Sequence, residues 1–171
     1  MRAAVLVSVV AAGLAAGWLG RAALEPSRPE AMLTLFRDHC VPFARAATPV
    51  QPRSPLRQLR IDNAREYWGD PRSRLVVEHA GRTCAVTDII APLSDAEAAE
   101  LHTLVRKAVA KDFPGLMVED GNELGWDIFV FWHNGAPPGT RDRWGVTLAR
   151  VPSSQGGQTS LSLSAPAGQP A

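Results

Sequence analysis

The stretch SDAEAAELHTLVRKAVAKDFPG, residues 94 to 115, decides the reading of the fold. Ser94 and Glu97 make a capping box, in which the Ser94 hydroxyl accepts from the amide of Glu97 and the Glu97 carboxylate accepts from the amide of Ser94. From there Leu101, Leu104, Val105, Ala108 and Val109 recur at helical spacing and form one apolar stripe wide enough to cover a sheet. Lys107 and Lys111 suit the negative end of the helix dipole, and Pro114-Gly115 closes the helix. A helix with a single apolar stripe needs a sheet beneath it, and the flanking sequence supplies strands.

On the N-terminal side, Arg74 to Glu78 and Arg82 to Ile90 read as two strands separated by His79-Ala80-Gly81, with Gly81 suited to a tight hairpin. In the second strand Cys84, Val86, Asp88 and Ile90 share one side and Thr83, Ala85, Thr87 and Ile89 the other; alternation alone leaves open which side is buried. On the C-terminal side three strands follow. Trp126 to Trp132 is apolar on both sides apart from Asp127 and reads as a central strand covered on at least most of both faces. Gly145 to Val151 and Thr159 to Ala165 alternate, the latter with Leu161 and Leu163 inward and Ser160, Ser162 and Ser164 outward. Turn-rich connections at 134 to 139 and 153 to 157 argue for an antiparallel meander. Upstream, Met32, Leu33, Phe36 and Cys40 mark a first helix that should end near Val41, because Pro42 follows.

The expected fold is therefore α+β: a five-stranded antiparallel sheet in the order helix, two strands, helix, three strands. This is the profilin-like or PAS-like arrangement, with first and last strands adjacent in the middle. Such an analogy carries no ligand with it.

At 171 residues, 46% hydrophobic and 20% charged, the chain has room for one globular domain. With 18 basic and 17 acidic side chains it has no bulk field to recruit nucleic acid. The run Ala3 to Leu19, between Arg2 and Arg21, is uncharged and built from small and aliphatic residues. We read residues 1 to 25 as a signal peptide, cleaved after Gly17 or near Ala22 and Ala23, or else as an uncleaved membrane anchor. The expected location is periplasmic or secreted, with an inner-membrane tether and membrane contact only if the segment stays attached. Removing it takes away Arg2, Arg21 and Glu25, and leaves the domain at 26 to 165 formally neutral. A Pro/Arg-rich connector is expected at 45 to 60 and a loose tail at 166 to 171.

Two cysteines in an exported chain are expected to pair. Joining Cys40 to Cys84 would close a loop worth about 4 kcal/mol in the chain-entropy model. The competing reading makes Cys40 a thiol nucleophile with His39 as its base, although neighbouring residues on a helix point apart. Leu35-Phe36 with Cys40 three residues beyond Arg37, the isolated Trp68, Cys84-Ala85-Val86 and the helix ending Phe113-Pro114-Gly115 together resemble small exported bacterial two-cysteine proteins whose domain has no known function. The resemblance covers roughly residues 30 to 133. It adds weight to export and to the Cys40 to Cys84 pairing, and it transfers no catalytic or binding residue.

The sequence carries no cofactor motif, nucleophile elbow or phosphate-binding loop. Its histidines, at 39, 79, 102 and 133, lack the spacing of a helical zinc site. His133 follows the expected central strand and precedes a Gly-Pro loop, with Asp127 and Asp142 as the acids that could orient it. The pairs Glu119 with Asp120 and Glu123 with Asp127 read as solvated turns rather than a glycosidase pair, and Gly156-Gly157-Gln158 as an ordinary turn. Tyr67, Trp68, Trp126, Trp132 and Trp144 are candidates for a stacking surface. In one strand, Trp126 and Trp132 would share a face about 20 Å apart.

Three functions follow as expectations. The first is a non-enzymatic exported binding or accessory module of the cell envelope, partnered by an envelope protein or polymer. The second is a small envelope hydrolase using His133 with Asp127 or Asp142, and the third a thiol redox protein.

Overall fold

The computed structural model describes residues 25–45, 55–62, 65–121, 125–153 and 156–166. The expected signal segment, the tail beyond 166, Glu123 and the middle of the expected connector lie outside the described residues. Among those described, no helix is long and apolar enough to cross a membrane.

The first helix begins at a capping box, Ser27 with Glu30, and runs as α1 (Arg28–Leu35). It does not stop before Pro42. A π turn, Phe36–Cys40, links α1 to a short helix α2 (Val41–Arg45), so the amide of Val41 reaches back five residues to the carbonyl of Phe36. Proline removes one amide and crowds the carbonyl four residues earlier. Widening the preceding turn is one way to relieve that crowding, and the rod continues.

Eight strands follow: β1 (Arg57–Asp62), β2 (Arg65–Asp70), β3 (Leu75–Ala80), β4 (Thr83–Thr87), β5 (Met117–Asp120), β6 (Ile128–His133), β7 (Gly145–Val151) and β8 (Gln158–Ser164), with α3 (Asp95–Asp112) between β4 and β5. They form one antiparallel sheet in the order β1-β2-β3-β4-β8-β7-β6-β5. This overturns the five-stranded α+β arrangement. The chain is mostly β, and the last strand meets β4, the second strand of the hairpin, because the outer side of β3 is taken by β2. Each half of the chain is a helix followed by a four-strand meander, and the two meanders join through their last strands, β4 and β8.

The physical reasons for the missed strands are local. β1, Arg-Gln-Leu-Arg-Ile-Asp, lies in what reads as a basic connector and β5 has four exposed residues. Both are edges, where charge and shortness guard against further pairing. In β2, Trp68 sits just before Gly69-Asp70-Pro71, a run that reads as loop. Gly69 and Asp70 are instead the end of β2, and Pro71 opens the β2–β3 turn, in which Asp70 accepts from the amides of Arg72 and Ser73 at 3.2 Å each. Other readings hold: the α3 capping box, the β7 boundaries, Leu161 and Leu163 facing inward, and the hairpin turn at Gly81, which takes φ +54°.

All the described helices lie on one face. Beneath them sit Leu75 and Val77, Cys84 and Val86, Val146 and Leu148, Leu161 and Leu163, and the inward side of β6. Met32 and Phe36 press down from the first rod and Leu101, Val105 and Ala108 from α3. Leu104 is only half-buried. The disulfide between Cys40 and Cys84 fastens the π turn to β4. Arg37 Nε reaches Asp112 Oδ2 at 2.8 Å and ties the two helical rods together.

The link from β4 to α3 is held by buried polar groups. Asp88, with no exposure, accepts from the amides of Leu93 and Thr159, both at 2.7 Å. Arg150, 4% exposed, donates to the carbonyls of Leu93 at 3.1 Å and Ser94 at 3.4 Å and pairs with Asp95 at 2.6 Å. Gly157 makes this possible, since a Cβ there would collide with the Arg150 guanidinium. Gly157 thus has a packing role, while Gly156 takes the positive φ of +103° that the turn requires.

Leu101→Ala should cost roughly 2–5 kcal/mol and Leu104→Ala about 1 kcal/mol in urea unfolding; equal costs would mean that α3 is rotated. Asp88→Ala leaves two buried amides without an acceptor and should cost about 2–6 kcal/mol. A loss under about 0.5 kcal/mol, the surface scale, would remove Asp88 from this account.

Candidate functional site

Opposite the helices, the sheet presents a second face on which no described helix lies. Strand alternation decides what it carries. The register aligns three rows across it. The middle row runs Arg60, Tyr67, Glu78, Ala85, Ser162, Thr147, Phe131, Glu119. One flanking row runs Arg65, Ala80, Thr83, Ser164, Gly145, His133, Met117, and the other Gly69, Val76, Thr87, Ser160, Ala149, Phe129.

The adjacent strands β4, β8 and β7 therefore contribute Thr83, Ala85, Thr87, Ser160, Ser162, Ser164, Gly145, Thr147 and Ala149. None of these side chains is charged, in a chain that is 20% charged. Surfaces facing water normally carry charge at about a quarter to a third of positions. The floor is small, hydroxyl-bearing and neutral, with larger groups only on its flanks.

At one flank Glu119, Phe131, His133 and Arg143 converge. Arg143 pairs with Glu119, stands over the Phe131 ring at 5.0 Å and donates to the carbonyl of Ala136 at 3.0 Å. His133 is 8% exposed; its Nδ1 accepts from the amide of Gly135 at 3.1 Å, and its Nε2 lies 3.5 Å from Glu119 Oε2. An accepting Nδ1 puts the neutral ring's proton on Nε2, facing that carboxylate. The arrangement is a braced corner with a cation stacked on an aromatic ring.

The expected partners of His133 are elsewhere. Asp127 Oδ2 lies 3.5 Å from Arg150 Nε, and Asp142 supplies its backbone carbonyl to Asn134. Glu119 and Arg143 were missed as His133's neighbours because that contact runs between strands. The legible signal was the alternation Phe129, Phe131, His133, which puts the three on one face.

The tryptophans do not gather. Trp132 is 6% exposed and belongs to the core, and Phe129 and Phe131 on the other side of the strand are half-buried; β6 is not central but second from the edge of the sheet. Trp126 precedes β6, against the expected strand, and meets Phe129 edge-on at 5.0 Å. Trp144 packs on Phe113 at the core margin. Trp68 lies on the helix side of β2, five strand spacings, or about 24 Å, from β6. Cys40 and Cys84 are fully buried and joined.

A second cluster lies on the helix side. His79 is 6% exposed and stacks on Phe43 at 5.2 Å, and both its ring nitrogens are buried without a hydrogen-bond partner among the described residues. Nδ1 of His39 and Nε1 of Trp68 are likewise buried and unpartnered. Burial lowers the pKa of His79 from the ordinary imidazole range; Glu66 opposes the shift and His39 adds to it. Burial also lowers His39 against the pull of Asp38. His102, near a cavity of about 230 Å³ bordered by Asp120 and Asp127, is lowered by burial and by Arg106 against Asp120.

Comparison with known proteins returns no match: no family model, curated protein or solved structure is significantly similar to this chain.

His39, His79 and His102 give a pH prediction with a definite sign. Their folded-state pKa values lie below the unfolded value near 6.5, so the unfolded chain binds more protons as acid is added. Their contribution to stability is whole above about pH 6.5 and declines as pH falls below it. The urea midpoint should drop between pH 7.5 and 5.5, and His79→Phe should flatten the drop. An unchanged slope in that variant would clear His79 of the effect.

Proposed function

We propose that this protein is a non-enzymatic, exported binding or accessory module of the cell envelope, and that its contact surface is the helix-free face of the sheet. One observation carries the reading: the adjacent strands β4, β8 and β7 present nine positions on that face without a charged side chain, Glu78 of β3 standing just beyond them. A face left to water has no need to exclude charge, whereas the centres of protein contacts are depleted of it. The disulfide supports export to an oxidising compartment, because such bonds persist there and are rare in the cytosol. The apolar run at Ala3 to Leu19 supports the same route, to the periplasm or the exterior.

The polar groups near His133 fit this reading better than hydrolysis. Glu119 and Arg143 neutralise each other, and the imidazole is held by Gly135 and Glu119. A general base contributes about 100 to 10,000-fold by itself, and among the described residues no hydroxyl or thiol bonds to it. The redox alternative would need an accessible thiol, and both sulfurs are buried in the bridge.

A photo-crosslinking residue at Thr147, on the open face, should give a discrete covalent adduct in the cell that makes the protein. The same residue at Ala110, on the exposed side of α3, should not. Equal labelling at the two positions, or none at Thr147, would refute the assignment of the face.

A further inference from the structure

We propose that the end of the sheet formed by the β2–β3 turn and the β4–α3 crossing is a membrane-docking tip, with Ile89 and Ile90 in the bilayer interface and Arg72 and Arg74 among anionic lipid headgroups. The inference takes residues 1 to 25 in their reading as an uncleaved anchor. It is independent of what the helix-free face binds.

The apolar pair comes first. The carbonyl of Asp88 accepts from the amide of Ala91 at 2.9 Å and closes a tight turn whose two central residues are Ile89 and Ile90. They are 60% and 47% exposed. Central turn positions ordinarily hold glycine, proline, asparagine, aspartate or serine, and two adjacent β-branched residues there leave aliphatic surface projecting into water. The turn is also held firmly. Asp88 and Leu93 on either side of it are buried and bonded to each other, so the pair is presented rather than folded away.

The cations come second. Continuing the β3–β4 register two residues past its last pair, Val76 with Thr87, brings Arg74 opposite Ile89. Arg72 and Arg74 are both exposed, and neither guanidinium has a hydrogen bond or ion pair among the described residues. The acid of that turn, Asp70, is buried and taken up by the amides of Arg72 and Ser73. Arg74 holds φ +60°, so a charged side chain is kept where glycine would fit with less strain. Further along the same end, Asp95 and Asp127 pair with Arg150.

The place where the chain enters the domain names the occupant. Arg28, at the start of α1, donates through Nε to the carbonyl of Ser73 at 3.1 Å, through Nη1 to that of Pro92 at 3.3 Å and through Nη2 to that of Ala91. The first turn of α1 is thereby pinned between the β2–β3 turn and the crossing that carries the two isoleucines. Ala3 to Gly20 precedes it, uncharged between Arg2 and Arg21 and within the roughly 17 to 25 residues that span a bilayer. Only residues 21 to 26 stand between, and at about 3.6 Å per residue they reach at most about 20 Å. A domain of this size is about 35 to 40 Å across. So short a tether keeps the end bearing Ser27 at the membrane, and holds Gly81 and Arg141, at the far ends of the strands, away from it. Interfacial seating combines buried apolar surface with attraction to anionic lipid, and the tip offers both.

The test uses the full chain reconstituted in vesicles of phosphatidylcholine and phosphatidylglycerol in which some lipids carry a spin label just below the headgroup. A fluorescent amino acid replaces Ile89, Ile90 or, as the far-end control, Arg141. We expect quenching at 89 and 90 at least about threefold stronger than at 141, because apolar groups seated in an interface lie about 5–10 Å into the headgroup and acyl boundary. Arg72→Gln with Arg74→Gln should remove at least about half of that difference with the melting temperature unchanged, since each basic residue near an anionic surface contributes about fivefold in binding. Position 90 serves if the substitution at 89 does not fold.

Equal quenching at 89, 90 and 141 would overturn the proposal, because the domain then stands clear of the lipid. So would quenching that ignores the loss of both arginines, or a photo-crosslinking residue at Ile89 that joins a protein rather than lipid in the cell. If the chain isolated from its cell has lost its first residues, that shorter chain should still float with vesicles containing phosphatidylglycerol, and its failure to do so overturns the proposal as well. None of these outcomes bears on the adduct at Thr147, which decides the helix-free face alone.

Discussion

The structure depends on how residues 88 to 95 are gripped. Here the chain leaves the centre of the sheet, crosses above it and enters α3. Leu93 is the pivot: its amide donates to Asp88 and its carbonyl accepts from Arg150, so both of its backbone groups are held by buried side chains from opposite sides. Asp88 also takes the amide of Thr159, joining the end of β4 to the start of β8, the seam between the two meanders. Within a low-dielectric interior such bonds are strong, and their loss leaves groups that water cannot reach. A single junction thus sets the seam of the sheet and the side on which α3 lies.

Once α3 is fixed on that side, the remaining fasteners follow it. The disulfide joins the π turn to β4 from the helix side, and Arg37 with Asp112 joins the two rods. The π turn serves this layout by carrying the helix through Pro42, so that Phe43 reaches the ring of His79 beyond the bridge. Ring nitrogens of His39 and His79 find no hydrogen-bond partner among the described residues there, and burial lowers the pKa of both imidazoles.

The legible part of the fold was the part with strong local period or local capping. Residues 94 to 115 announce their helix through Ser94, Glu97 and the apolar stripe, and 158 to 164 announce a strand through the alternation of leucine and serine. β1 and β5 lacked such signals because edge strands are short, charged or both. β2 was hidden by the glycine and proline beside Trp68. Pro42 misled in the opposite direction, since a break rule for α-helices does not foresee a π turn. For the site, alternation identified which side chains share a face, but the pairing of His133 with Glu119 is a matter of register between β5 and β6. Single-strand pattern carries no register information across a connection of seven residues, Gly121 to Asp127.

The distribution of fasteners also bears on why the helix-free face has the composition it has. Every strong specific link described above lies on the helix side or at the chain crossings, apart from the corner at Glu119, His133 and Arg143. The residues of the neutral floor contribute strand pairing through their backbones, while their side chains add little buried area to the core. The fold therefore places few demands on Thr83, Thr87, Thr147, Ser160, Ser162 and Ser164. Longer charged side chains there would satisfy the same backbone ladder and would guard a flat sheet against stacking. What holds the protein together therefore does not account for their absence.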